Sequence, residues 1–202
     1  MKRVIILLIL SVAFATFTST STLPVEMLEE NMEYDLERFK VKVETEKFHK
    51  LNSLGLENFL NHLAYKESSN NPNVVNTLGY IGKYQFGRAA LKEVGYGSLR
   101  VSEFRKNPSI FPEEAQDKAI IMLLKINRKR LESTIEKYEG KYIAGIKITE
   151  AGLLAAAHLA GASGVKRFLR TNGRYNPADS YGTRLSDYLL EFSKHEFILL
   201  NP

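Results

Sequence analysis

Glu67 is the residue whose type and placement argue most directly for chemistry. Leu56, Phe59, Leu60, Leu63 and Ala64 recur at helical spacing, and a further step of four from Leu63 lands on Glu67. The carboxyl group therefore points along an apolar stripe. Ser68-Ser69-Asn70-Asn71-Pro72 is turn chemistry, which stops the helix near Lys66. At a helix C-terminus the macrodipole disfavours negative charge, and partial burial acts the same way. A carboxyl group that keeps its proton towards neutral pH is what a general acid requires. By itself, a glutamate at a helix end is an ordinary solvated residue, so the residues that follow must decide.

Those residues form a pattern. Glu67-Ser68 is followed by Asn71-Pro72, then by Gly79-Tyr80-Ile81-Gly82, then by Lys83-Tyr84-Gln85. A second block, Ala156-Ala157-His158-Leu159-Ala160-Gly161 with Val165 after it, begins some seventy residues later. A looser third block is Tyr181-Gly182-Thr183-Arg184 with Tyr188. In type, order and spacing these blocks resemble the catalytic motifs of the soluble lytic transglycosylases and goose-type lysozymes. The resemblance covers about residues 56–190 and implies a lysozyme-like helical domain. It also implies cleavage of the β-1,4 bond between N-acetylmuramic acid and N-acetylglucosamine in peptidoglycan, with Glu67 as the single catalytic acid and base. Asn76, Tyr84, Gln85 and His158 would line the sugar groove, with Tyr181 a further candidate.

This chain departs from the family pattern at several positions. The family's Leu-Met-Gln-x-Met stands here as Lys83-Tyr84-Gln85-Phe86-Gly87, so aromatic residues replace the methionine lining. A common serine nine residues after the glutamate is Asn76, which still offers hydrogen bonds. The family's Tyr-Asn pair becomes His158-Leu159, which makes His158 the expected substitute for the tyrosine that approaches the carboxyl group. The bland reading of His158 is a core histidine bonded to a carbonyl, and the residues leave both open.

Ordinary glycosidases use two carboxylates, roughly 5–5.5 Å apart for retention and 6.5–9.5 Å for inversion. No Asp or Glu lies between Glu67 and Glu93, so help from the substrate's acetamido group is expected. That favours a 1,6-anhydro product over hydrolysis, unless Asp179 or Asp187 folds back. The alternatives are a hydrolytic muramidase of the same fold and a non-catalytic peptidoglycan-binding module.

Other chemistries find no support. The chain has no cysteine, which removes disulfides, thiolate metal sites and thiol nucleophiles. His49, His62, His158 and His195 make no metal-ligand spacing, and neither metal nor cofactor is expected. Gly79 to Tyr84 fails the phosphate-loop pattern, and Gly161 to Gly164 fails that of a nucleophile elbow. The basic run Arg128-Lys129-Arg130 lacks interleaved aromatics, so it reads as a solvated helix face and no nucleic-acid partner is expected.

The elements that must position these residues are helical throughout: an all-α domain with no convincing strand. Helices are predicted over Leu56–Lys66, Arg88–Val94, from Pro112 past Leu131, Thr149–Ala160 with Thr149 as N-cap, Val165–Thr171, and Thr183–Lys194. Connections 68–87, 95–111 and 172–182 are rich in Gly, Asn, Pro and Tyr, where binding residues concentrate. Before them, Leu28, Met32, Leu36, Phe39 and Val43 mark an amphipathic helix over 24–53, with Gly55 beyond its end, read as a helix packed on its own domain or as a dimerising or docking helix. Met1-Lys2-Arg3, the apolar run from Val4 and Ala13-Phe14-Ala15 read as a signal peptide over 1–15, its boundary extending to about 22. Its apolar run is short of the roughly 20 residues that span a bilayer. The expectation is an exported protein of the periplasm or cell wall, without a membrane span after processing and with domains 24–53 and 54–202.

The formal charge of +5 supports this arrangement: +2 lies in the leader, −3 in residues 24–50 and +6 in residues 51–202. The cationic part carries the glycosidase-like motif, as suits an anionic wall polymer. The sequence leaves the oligomeric state open.

Overall fold

Helical periodicity, with few proline or glycine breaks, builds most of this chain. A computed structural model describes residues 25–199, with side chains from residue 35 onward; the segment 1–22 read as a signal peptide, Leu28 and Met32 lie outside the described side chains. The protein is mainly α. Its elements are α1 (Val25–Ser68), α2 (Arg88–Glu93), α3 (Val101–Lys106), a 3-10 turn (Pro108–Ile110), α4 (Glu113–Tyr138), β1 (Tyr142–Ile143), β2 (Ile146–Lys147), α5 (Glu150–Arg170) and α6 (Leu185–Phe192). Among the described residues, no helix is long and apolar enough to cross a membrane. The chain divides into two compact units between Phe48 and His49.

In the unit before His49 the described residues, 25–48, are helix, and each described side chain, from Asp35 onward, is exposed. In the unit that starts at His49, α1 continues without a break through Gly55, where the sequence predicted an end. The glycine serves a close approach instead. A Cβ there would lie 2.2 Å from the carbonyl oxygen of Glu196. Asn52 secures the same crossing, its amide donating to the Ile198 carbonyl at 2.9 Å and accepting from the Ile198 N–H at 2.5 Å. One turn on, Phe59 is fully buried against Phe192 and Phe197, with ring centroids 5.3 and 4.7 Å away. Helix α1 stops where the turn residues demand. Ser69 and Asn70 take left-handed backbone, and their N–H groups close onto the carbonyls of Tyr65 and Ala64.

The core is an α4–α5–α6 packing in which α5 is central, with Ala151 through Ala157 all buried. Thr149 caps α5 as predicted, its Oγ1 accepting from the Gly152 N–H at 3.2 Å. Gly161 breaks the helix with φ 68° and ψ 162°, a conformation that side-chain-bearing residues avoid, so the two predicted segments meet at a kink. Three elements were not predicted: the 3-10 turn at Pro108–Ile110, helix α3 and a small hairpin. Helix α3 is only six residues long, too short to show a period. The β1–β2 hairpin has two residues per strand and turns through Ala144 and Gly145, both at positive φ.

Candidate active site

Glu67 occupies the last turn of α1, on the face that buries Phe59, Leu63 and Ala64. Its side chain keeps 14% of its surface exposed, at the floor of a cleft of about 520 Å³. From α6, Tyr188 donates its hydroxyl to Glu67 Oε1 at 2.5 Å. Burial, and then the Glu67 charge, push the Tyr188 phenol far up, so this hydroxyl stays a donor. Of the two readings that the sequence left open for His158, the structure has the bond to a carbonyl. His158 Nε2 lies 3.8 Å from Glu67 Oε1, beyond hydrogen-bond range, and donates instead to the Tyr84 carbonyl at 2.9 Å. His158 still lines the cleft. The signal for Tyr188 was its place after Thr183-Arg184, where one turn of helix separates the motif from the phenol.

The loop between α1 and α2 forms the opposite wall, and its shape comes from buried polar contacts. Gln116 of α4 is fully buried. It donates to the carbonyls of Pro72 and Phe111, each at 2.8 Å, and accepts from the Lys83 N–H at 2.6 Å. Gly82 has φ 76°, and a Cβ there would sit 2.2 Å from Gln116 Oε1, so the glycine is required twice over. Short antiparallel bridges join Ile81 to Val75 and to Phe86. Asn76 lies in the cleft lining, but its Oδ1 is held by the N–H groups of Leu78 and Tyr80 at 2.9 and 3.0 Å. Its first role is to fold the wall.

Tyr84 does not line the groove, which corrects its predicted place. It is 1% exposed, and its hydroxyl donates to Asp117 at 2.7 Å. The nearly buried Lys83 joins the same cluster, its Nζ 2.9 Å from the exposed Glu113 and 3.0 Å from the half-buried Asp117. Gln85 takes φ 48°, and this left-handed residue turns the chain so that Tyr84 faces the core and Gln85 the cleft. Only the Tyr84 carbonyl serves the site, through His158. The amide of Gln85 is tied to the Gly82 carbonyl at 2.9 Å.

The segment before α6 closes the other side. Tyr181 is 64% exposed, lines the cleft and bonds Thr77 Oγ1 at 2.9 Å, so the two walls touch. Asp179 also lines the cleft, a carboxylate that the sequence placed only as an option. Its Oδ1 accepts from the N–H groups of Tyr181 and Thr183 at 2.9 and 2.8 Å, which commits that oxygen to the loop. Asp187 instead accepts from the Arg184 N–H at the start of α6 and is absent from the lining.

A second cleft of about 540 Å³ adjoins the first and shares Leu78, Tyr80, Gln85 and His158 with it. Sequence reasoning missed Tyr80, the exposed aromatic common to both. Its ring packs on Gly87, where a Cβ would fall 2.8 Å from the ring. The result is an elongated groove whose lining holds three carboxyl groups (Glu67, Asp179 and Glu93), one phenol donor to Glu67, one imidazole and two exposed tyrosines. That set can give and take a proton and can stack against flat apolar faces of a polar ligand.

Beside Glu67 runs a second polar chain, whose first member, Lys66, also lines the cleft. Lys66 lies 5.0 Å over the Tyr188 ring and pairs with Glu191 at 2.7 Å. Glu191 bonds His62 Nε2 at 2.8 Å, and His62 Nδ1 meets His195 Nε2 at 2.8 Å. Among the described residues, no three His, Asp or Glu side chains converge as metal ligands. The basic run on α4 is partly spent on ion pairs, Arg128 with Glu150 at 2.7 Å and Arg130 with Glu93 at 2.8 Å.

Comparison with protein-family models, with curated proteins and with solved structures finds no match to this chain.

Proposed function

We propose that this chain is a lytic transglycosylase, cleaving the β-1,4 bond between N-acetylmuramic acid and N-acetylglucosamine in peptidoglycan. The observation that carries the reading is the mostly buried carboxyl group of Glu67, held by the Tyr188 hydroxyl on the floor of an open groove. In this mechanism Glu67 gives its proton to the glycosidic oxygen as the C1–O bond breaks. The Tyr188 O–H stabilises the carboxylate that forms. The substrate's acetamido oxygen holds C1, and Glu67 then takes the proton of the muramyl 6-hydroxyl as that oxygen closes the 1,6-anhydro ring. Acid and base are one residue, and no water is consumed.

Asp179 bears on the choice between this product and hydrolysis, because it is a second carboxylate in the lining. With one oxygen held by two backbone N–H groups, it is better placed to shape the loop than to activate water. Export to the periplasm or cell wall, by way of the N-terminal leader, belongs to the same proposal, since the polymer lies outside the membrane. The net +6 of residues 51–202 favours an anionic wall over other partners.

The test is mass spectrometry of sacculi digested by the wild type and by Glu67→Gln. The proposal expects 1,6-anhydro ends from the wild type and almost no release by the variant, which should still bind sacculi. Reducing ends alone would make the protein a hydrolytic muramidase. A wild type that binds but releases nothing would make it a wall-binding module.

A further inference from the structure

The helix before His49 has two properties that the chemistry of Glu67 does not use. One is a charge switch. Residues 24–37 hold six acidic residues and no basic one, a net −6, whereas residues 38–50 hold five basic and two acidic residues, a net +3. The change falls between Glu37 and Arg38. The other is an apolar stripe. Leu28, Met32, Leu36, Phe39 and Val43 recur at steps of four, four, three and four, which puts them on one side of a helix. Where side chains are described, that stripe is open to solvent: Leu36 is 45% exposed, Phe39 65% and Val43 46%. A lone helix with an uncovered apolar face is marginal in water, because its stability comes mostly from packing that face.

We propose that this helix pairs antiparallel with the same helix of a second copy of the chain. Charge selects both the occupant and the direction. A parallel copy would set the acidic halves side by side, whereas an antiparallel copy sets each acidic half against a basic half, twice over by two-fold symmetry. Centring the two-fold axis on the Glu37/Arg38 switch also matches the stripe. In that register Leu36 stands opposite the partner's Phe39, and Met32 opposite the partner's Val43. Asp35 and Lys42 lie on the same flank of the stripe, so the two-fold sets Asp35 beside the partner's Lys42. A second copy carries the complementary bipolar pattern by construction. The inference does not depend on the reading of Glu67.

The absence of cysteine makes the test clean, since each introduced thiol is unique. The full chain, purified as the cell processes it, should sediment as a dimer that dissociates as salt rises. Spin labels at Glu30→Cys and Thr45→Cys report direction. Antiparallel pairing brings label 30 of one copy nearest label 45 of the other. Two labels at 30 are then offset along the axis by about 22 Å, from fifteen residues at 1.5 Å each. Reversing the basic half (R38E, K40E, K42E, K47E) should give a monomer with an unchanged melting profile of the unit from His49. A chain that is monomeric at every loading overturns the proposal. So does a dimer with the reverse order of label distances, or one untouched by the charge reversal.

Discussion

Replacing Tyr188 by phenylalanine removes one hydroxyl and little else. The ring stays stacked 5.7 Å from Phe192, with Lys66 5.0 Å above it, and Tyr188 is only 3% exposed, so the fold should persist. What goes is the donor to Glu67 Oε1 at 2.5 Å. A hydrogen bond to a charged group is worth roughly 1.5–3 kcal/mol. In the proposed reaction the Glu67 charge appears as the proton leaves, so the bond is stronger in the transition state than before it. At about 1.36 kcal/mol per tenfold, the expected loss is on the order of 10- to 150-fold in turnover. Water can replace the donor only in part, because the Glu67 side chain is 14% exposed. The assay is the initial rate of soluble muropeptide release from purified sacculi, alongside a melting curve to show that the variant is folded. A folded variant that works at the wild-type rate would refute the argument, since the carboxyl group would then cycle its charge without the phenol.

Two further outcomes follow from the same geometry. Asp179→Asn keeps the oxygen that accepts from Tyr181 and Thr183, so the loop should hold and release of 1,6-anhydro products should continue. Loss of activity in a variant with an unchanged melting curve would instead assign Asp179 as a second catalytic carboxylate. Stability should fall on acidification from about pH 6.5, near the ordinary pKa of histidine. Burial, and then the charges of His62 and Lys194, hold the folded His195 below the ordinary 6.5 of a histidine. The unfolded chain therefore binds more protons below that pH, and the folded state loses ground there. Although burial opposes it, Lys66 and His62 hold the Glu191 carboxyl below 4.5, so that contribution is present above 4.5 and disappears further down. Melting temperatures between about pH 7 and 5 should drop for the wild type and much less for His195→Phe; a wild-type profile flat over that range would show that folding does not oppose protonation of His195.

How much of this was legible in the sequence depended on the range of the interaction involved. Glu67 at the end of an apolar stripe, the stop at Ser68-Ser69-Asn70, the Thr149 cap and the all-α class all rest on contacts between residues a turn or so apart. Those contacts write themselves into spacing. Gly161 was readable as a break for the same reason, although the kink it makes between two parts of α5 was not. Gly55 shows where local logic fails: a glycine after an amphipathic stretch marks a helix end in one setting and a close approach in another. The Glu196 carbonyl, far along the chain, decides which. The site itself was settled at long range. Tyr188 reaches Glu67 across 121 positions, and His158 reaches the Tyr84 carbonyl across 74. Whether Tyr84 or Gln85 faces the cleft turns on the left-handed backbone of Gln85 and the pull of Asp117 on the buried phenol. The sequence by itself determined the carboxyl group and the helix that carries it. Tertiary structure alone decided which phenol touches it, because a side chain's partner is set by the elements that pack across from it, and no spacing records them.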